Sequence, residues 1–210
     1  MSLKEVLVEE LKDLYSAESQ LVKALPKIVK ACEDNELAES INQHFEQTKG
    51  HVERLEQVFK QLGKKAAAKQ CKGMEGLLKE GNEAIEEGEE APFGDLMITG
   101  AALRVEHYEI AGYSAAIEIA RGLGEDEVVD LLTLTLEEEE AASEKLLAMA
   151  KELIGEAAGL SQDEAELEDE DVETVSDEEG AGEASMTRKQ TPHTSKTAPK
   201  KPSRGKSRAA

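Results

Sequence analysis

From Leu3 to about Asp34 the residues Leu7, Leu11, Leu14, Leu21, Leu25, Ile28 and Cys32 return at steps of three and four, and Glu18 fills the gap in the series. A chain patterned this way buries one stripe of a long helix against other helices. From Asn35 the pattern resumes: Leu37, Ile41, Leu55, Val58 and Leu62 share one line, whose missing members are His44, Thr48 and His51. "DNE" at residues 34–36 makes the predicted turn between the two helices. Pro26 lies inside the first, where it removes one backbone hydrogen bond and bends the helix without ending it, since the apolar series continues past it.

Gly63 closes the second helix, and the next long helical pattern opens near Pro92, roughly 29 residues later. That is more than a hairpin needs. Within it, "GMEGLLKEGNEAIEEG" reads as a short amphipathic helix on a crossover that carries the chain from one end of a bundle to the other, so the flanking long helices run parallel. A third long helix, about Phe93 to Arg121, and a fourth, about Asp126 to Ile154, are joined by "GLGED", with Gly122 or Gly124 suited to the helix C-terminus. Aromatic residues are 3% of the chain and Trp is absent, which leaves little for a β-sheet core. The expected fold is all-α, a four-helix bundle made of two hairpins.

Displacing the sequence by 91 residues brings the hairpins into register: "NELAESINQHFEQT" lies over "DEVVDLLTLTLEEE", and "HVERLEQVF" over "ASEKLLAMA". Glu18 then falls on Glu109. The line Ile41, His44, Thr48, His51, Leu55 falls on Leu132, Thr135, Glu139, Ala142, Leu146. Counted from the two turns, Glu18, His51, Glu109 and Glu139 each lie about 14–17 residues away, which at ~1.5 Å per residue sets them at one level in the bundle's middle. Glu106, one turn before Glu109 on a neighbouring stripe, is within reach of the same layer from the side.

Carboxylates buried together are costly unless they are protonated, paired with cations or bound to metal. Carboxylate oxygens with imidazole nitrogen suit Fe, Mn or Zn, and a pair of ions held between facing helices accounts for the whole layer. The expected metal ligands are Glu18, His51, Glu106, Glu109 and Glu139, and the expected cofactor is two iron ions, with Mn or Zn as alternatives. A glutamate on an apolar line also arises when its stem packs and its head reaches water; the joint placement on repeat-related lines speaks against that here. His44, two turns from His51, is expected outside the layer. His107 is expected to face outward or toward a second subunit, Tyr15, Tyr108 and Tyr113 to serve packing, and at most two of Glu137 to Glu140 to point inward.

The net charge of −21 repels nucleic acid and anionic membranes from the body of the protein. Cys32 and Cys71 have neither metal-motif nor disulfide-framework spacing and are expected as small buried groups in a reducing cytoplasm. No apolar run of membrane-spanning length occurs, and the acidic residues within the first positions lead to the expectation of neither export nor membrane spanning. Residues 1–155 form the expected bundle. Residues 156–210 change composition, acidic and then basic, with eight Lys and Arg after Thr187, and are expected to be a disordered tail whose basic half is the one candidate for weak nucleic-acid contact.

The blocks "DLYSAESQLVKALPKI", "HFEQTKGHVERLEQVF", "CKGMEGLLKEGNE", "RVEHYEIAGYSAA" and "LLTLTLEEEEAASEKL" together resemble the YciE/YciF family of ferritin-like bacterial stress proteins, over about residues 3–154. The resemblance implies a ferritin-like bundle with an extra short helix, a homodimer and a rubrerythrin-like dinuclear metal site. Ferritin-like di-iron proteins present a Glu from each of two helices and Glu-x-x-His from each of the other two. Glu18 and Glu109 match the lone carboxylates. The motif pairs depart, being Thr48 and His51 on the second helix and Glu139 and Ala142 on the fourth; Glu46-x-x-Lys49 is another frame, off the apolar line. Two functions stay open: a di-metal stress protein that reduces peroxide or oxidises ferrous iron, and a metal-free helical scaffold for interactions.

Overall fold

The computed structural model describes residues 1–88 and 90–159. Helix α1 (Leu3–Ala31) starts at Ser2, whose hydroxyl accepts from the Glu5 backbone N–H while Ser2 N–H donates to the Glu5 carboxylate at 2.7 Å. This reciprocal cap satisfies two N–H groups that a helix start otherwise leaves unpaired. Pro26 sits inside α1 without ending it. Helix α2 (Asn35–Gln61) is capped by Asp34, whose side chain accepts from Leu37 N–H at 2.7 Å. Asn35 and Glu36 therefore belong to the helix, and the turn is shorter than the "DNE" reading. Asp95, from the start of the third long helix, accepts from the backbone N–H groups of Glu33 and Asp34 at 3.0 and 2.9 Å and ties that turn down.

Gly63, at φ 66, closes α2. The crossover carries α3 (Lys72–Glu87), and the second hairpin consists of α4 (Phe93–Leu123) and α5 (Asp126–Ala158), turned by Gly124 at φ 69. Both helices of this hairpin run past their expected ends, α5 by a full turn, until Gly159 adopts the left-handed conformation at φ 68. Residues 156–158, expected in the tail, are thus helical. The rest of the expected tail, from residue 160, lies outside the described residues.

Each long helix packs on two others, in the ring α1, α2, α5, α4, and α3 lies across α1 and α4. Leu14 approaches Gly112 and Leu3 approaches Gly122, so α1 and α4 are antiparallel. Since α1 and α2 form a hairpin, α2 and α4 run parallel, as the long crossover requires. All described secondary structure is helical, and the architecture is a ferritin-like four-helix bundle with a short fifth helix.

Two apolar clusters fill the bundle. One is built around Leu7, Leu11, Leu55, Phe59, Ile117 and Leu132. The other is built around Leu21, Leu37, Ile41, Met74, Ile98 and Leu146. At ~1.5–3 kcal/mol for each large side chain removed from water, these two clusters hold the bundle together. Between Leu14 of one and Leu21 of the other comes Glu18, and around it the core turns polar.

Candidate metal centre

Six side chains form the polar layer. Glu18 comes from α1, His44 and His51 from α2, Glu106 and Glu109 from α4 and Glu139 from α5, and all six are buried. Their ligand atoms fall into two groups, each with its atoms within 4.8 Å of one another: Glu18, His51 and Glu139 in one, His44, Glu106, Glu109 and Glu139 in the other. Glu139 belongs to both, and its two oxygens divide between them. Oε1 lies 3.0 Å from His51 Nδ1, and Oε2 lies 3.6 Å from His44 Nε2. His44 Nε2 is also 3.5 Å from Glu106 Oε1.

The expected ligands Glu18, His51, Glu106, Glu109 and Glu139 are thus gathered in one place. His44 joins them, contrary to the expectation that two turns of helix would hold it away. The layer is two levels thick: α2 and α4 run in the same direction, so His44 and Glu106, each preceding its partner on its own helix, come together at one level. Thr48, on the same line, turns its hydroxyl to the carbonyl of His44 at 2.9 Å. His107 is exposed, with Nδ1 3.0 Å from the carbonyl of Leu103, as the geometry of adjacent helix positions requires. The Glu46 and Lys49 frame also lies outside the layer; Glu46 is exposed and Lys49 stands 4.5 Å over the ring of Phe45.

Around the layer stand residues whose part the sequence did not reveal. Tyr113, fully buried, donates its hydroxyl to Glu18 Oε1 at 2.5 Å and leaves Oε2 of that carboxylate without a partner. Glu138 reaches Nε2 of His51 at 2.8 Å and receives Arg54 through both guanidinium nitrogens, at 2.9 and 3.2 Å. Arg54 also donates to Thr135 at 2.6 Å. With Nε2 held by Glu138, His51 turns Nδ1 toward Glu18 and Glu139, the arrangement by which a carboxylate orients a metal-binding imidazole. Of the run Glu137 to Glu140, Glu139 is buried and Glu138 half-buried; the other two are exposed. The one sequence signal for Glu138 and Arg54 was their position flanking the line of His51 and Glu139.

Burial, then the neighbouring carboxylates, pushes the pKa values of Glu106 and Glu109 well above the ordinary 4.5. Burial also raises Glu18, against the pull of His51. Burial opposes the charge on His51, but Glu139 and Glu18 beside it lift its pKa to about 10. Glu139 goes the other way: burial opposes its ionisation, and the His51 imidazolium outweighs that and holds it below 4.5. His44 is lowered, chiefly by burial. Without a metal, His51 thus favours its charged form beside an ionised Glu139, and Glu106 and Glu109 hold their protons to higher pH than ordinary carboxyls.

Nine side-chain N and O atoms among the described residues are buried without a hydrogen-bond partner, and every one belongs to these six residues. Even His51 Nδ1 meets Glu139 at close range without the alignment of a hydrogen bond. Buried polar groups are ordinarily paired. The donor inventory, four carboxylates and two imidazoles, equals that of the ferritin-like di-metal pattern, although the helices contribute it in other proportions. The residues fit a pair of metal ions.

The family described as a domain of unknown function, DUF892, matches residues 2–159. The protein YciF of Escherichia coli (strain K12) is 39% identical over 150 residues, which span 71% of this chain and 90% of that protein. The crystal structure of E. coli YciF, a stress protein, matches with a TM-score of 0.71 at 38% identity, covering 73% of this chain and 98% of that one. The structure of YcfI from Rhodopseudomonas palustris matches with a TM-score of 0.68 at 40% identity, over 70% and 93% of the two chains. Over the bundle the resemblance read from the sequence blocks holds: this chain belongs to the DUF892 family, with YciF among its relatives.

Proposed function

We propose that the protein is a stress-response metalloprotein whose polar layer holds two metal ions, iron in the first place and Mn or Zn as alternatives. The observation that carries this reading is the set of nine unpartnered buried atoms confined to six side chains of ligand type. Glu18, His51 and Glu139 would hold one ion and His44, Glu106, Glu109 and Glu139 the other. Nδ1 of His51 would face the ion, because Nε2 is committed to Glu138. Tyr113 holds Oε1 of Glu18 and presents Oε2.

A bound iron pair supplies two one-electron carriers side by side, which suits peroxide reduction or the oxidation of ferrous iron. The chain's own residues provide the surroundings. Leu14, Leu21 and Leu55 close the layer off from water on the adjoining core faces. Burial and the neighbouring carboxyls make Glu106 and Glu109 keep their protons to higher pH than ordinary carboxyls, so metal binding would displace protons there and strengthen as pH rises. Glu138, 34% exposed at its side chain, links His51 to solvent and offers a path for a proton at Nε2. A cytoplasmic homodimer is the expected form of the molecule.

Anaerobic loading with ferrous iron followed by elemental analysis tests the reading, with about two ions per chain expected, as in ferritin-like carboxylate sites. Glu109→Ala should lose stoichiometric binding. Metal-free wild type after loading, or unchanged binding in Glu109→Ala, would overturn it and leave the metal-free scaffold as the function.

A further inference from the structure

A cleft of about 120 Å³ opens between α2 and α5 and ends on His44 and Glu106. On the same measure a single water needs only ~10–15 Å³. Its walls include Gln43 and Gln47 of α2 and Ala141, Ala142 and Lys145 of α5. Of the six residues in the polar layer, only His44 and Glu106 line it; Glu18, His51, Glu109 and Glu139 do not.

The internal repeat accounts for the opening. Ala142 is the residue that the 91-residue displacement pairs with His51. Where α2 extends an imidazole into the layer, α5 presents a methyl group, and the second imidazole comes instead from His44 on α2. The volume that a side chain at 142 would otherwise occupy is part of the cleft. An ordinary structural substitution would have filled this space with an apolar side chain, since an unfilled hole in a core is costly. The lining is polar at its mouth and floor. Lys145 places a positive charge there, with Nζ 3.4 Å from Gln43 Oε1, while the charge of Glu138 is taken up by Arg54 and His51.

From this we infer that the cleft is the entry and binding site for exogenous ligands of the metal layer, admitting neutral or anionic hydrogen-bonding molecules of two or three heavy atoms, the size of a peroxide. Such a ligand meets the ion held by His44 and Glu106 first, while the ion at Glu18 and His51 stays sealed. The inference rests on the metal-centre reading for the ligand's target and on the cleft alone for its route.

The test uses the full chain loaded with cobalt(II), whose visible absorption reports the coordination of each ion, with azide as the ligand. Wild type should show a saturable spectral change on adding azide. Ala142→Leu fills the cleft from α5 without removing a ligand, and should slow azide association about tenfold, a barrier about 1.4 kcal/mol higher, with cobalt stoichiometry unchanged. Ala141→Leu, at the exposed rim, should slow it less and guards against misfolding of the first variant. Full cobalt occupancy with azide rates unchanged in both variants would overturn the inference. If wild type takes up no metal, the metal-centre reading fails separately, and deuterium exchange at the imidazole C2 positions of the metal-free protein decides the route. Exchange at His44 that is slowed by Ala142→Leu, with exposed His107 unaffected, sustains the cleft; exchange at His44 that is the same in wild type and Ala142→Leu overturns it.

Discussion

Replacing Glu109 with glutamine keeps the shape of the side chain and removes its charge, and the sign of the effect on stability should depend on pH and on metal. Glu109 is fully buried with neither oxygen hydrogen-bonded. Burial, followed by the charges of Glu18, Glu139 and Glu106, raises its pKa well above 4.5. The folded protein therefore keeps a proton that the unfolded chain releases as pH rises past that value. Stability from this group is fully present below the unfolded pKa and declines as pH rises toward the folded one. Glutamine has no such proton and abolishes the decline. A buried charged group without partners costs on the order of 1–3 kcal/mol or more. In chelator-treated protein near pH 8, Glu109→Gln should thus be more stable than wild type by about 2 kcal/mol, or ~4–8 °C in Tm for a domain of this size. Near pH 4.5 the two should converge, since the protonated acid and the amide are both neutral. Metal reverses the order: at a free concentration one hundred times its Kd, a metal adds about 2.7 kcal/mol to the wild type, and less to a variant with a weaker, neutral donor. Scanning calorimetry across pH, with chelator and with anaerobic ferrous iron, reads all three effects. A variant less stable than wild type in chelator near pH 8, or a difference that does not change with pH, would refute the reasoning.

Three other substitutions probe the surroundings of the layer. Arg54→Ala removes the clamp on Glu138 and with it the orientation of His51, and should weaken metal affinity about 10–100-fold at unchanged helicity, as read by competition with a chromophoric chelator. Tyr113→Phe takes away the hydrogen bond to Glu18 at 2.5 Å and should lower unfolding free energy in denaturant by about 1–3 kcal/mol in the metal-free protein; no change would mean the bond contributes nothing net. Gly73 and Gly76 make a paired test on α3. A Cβ at Gly73 would meet the Tyr108 ring at 2.7 Å, whereas nothing lies within 4 Å of one at Gly76. Gly76→Ala should therefore stabilise by up to ~1 kcal/mol and Gly73→Ala destabilise by about 1–3 kcal/mol, measured by thermal unfolding.

Much of this molecule is readable along the chain because helices translate sequence spacing directly into faces. Leu7, Leu11, Leu14, Leu21 and Leu25 needed no partner in view to be assigned to the core, and the polar gap at Glu18 was visible for the same reason. The 91-residue repeat then related Glu18 to Glu109, and the count from the two turns set Glu139 at their level. Element ends were less legible, since they turn on single interactions: the cap at Asp34 shortened the first turn, and the left-handed Gly159 let α5 run past Ile154.

Already legible along the chain are the all-helical bundle, its two hairpins and parallel crossover, and the identity of the helix stripes that carry Glu18, His51, Glu106, Glu109 and Glu139. These follow from local periodicity and loop length, which the chain specifies without reference to distant residues. Tertiary structure alone decided that His44 belongs with them, that Glu139 divides its oxygens between two groups, that Tyr113 holds Glu18 while Glu138 and Arg54 hold His51, and that Ala142 leaves a cleft. Those outcomes depend on the relative height and direction of helices far apart in sequence. A shift of one helix by a single turn, about 5.4 Å, would separate His44 from Glu106 while leaving every periodicity intact.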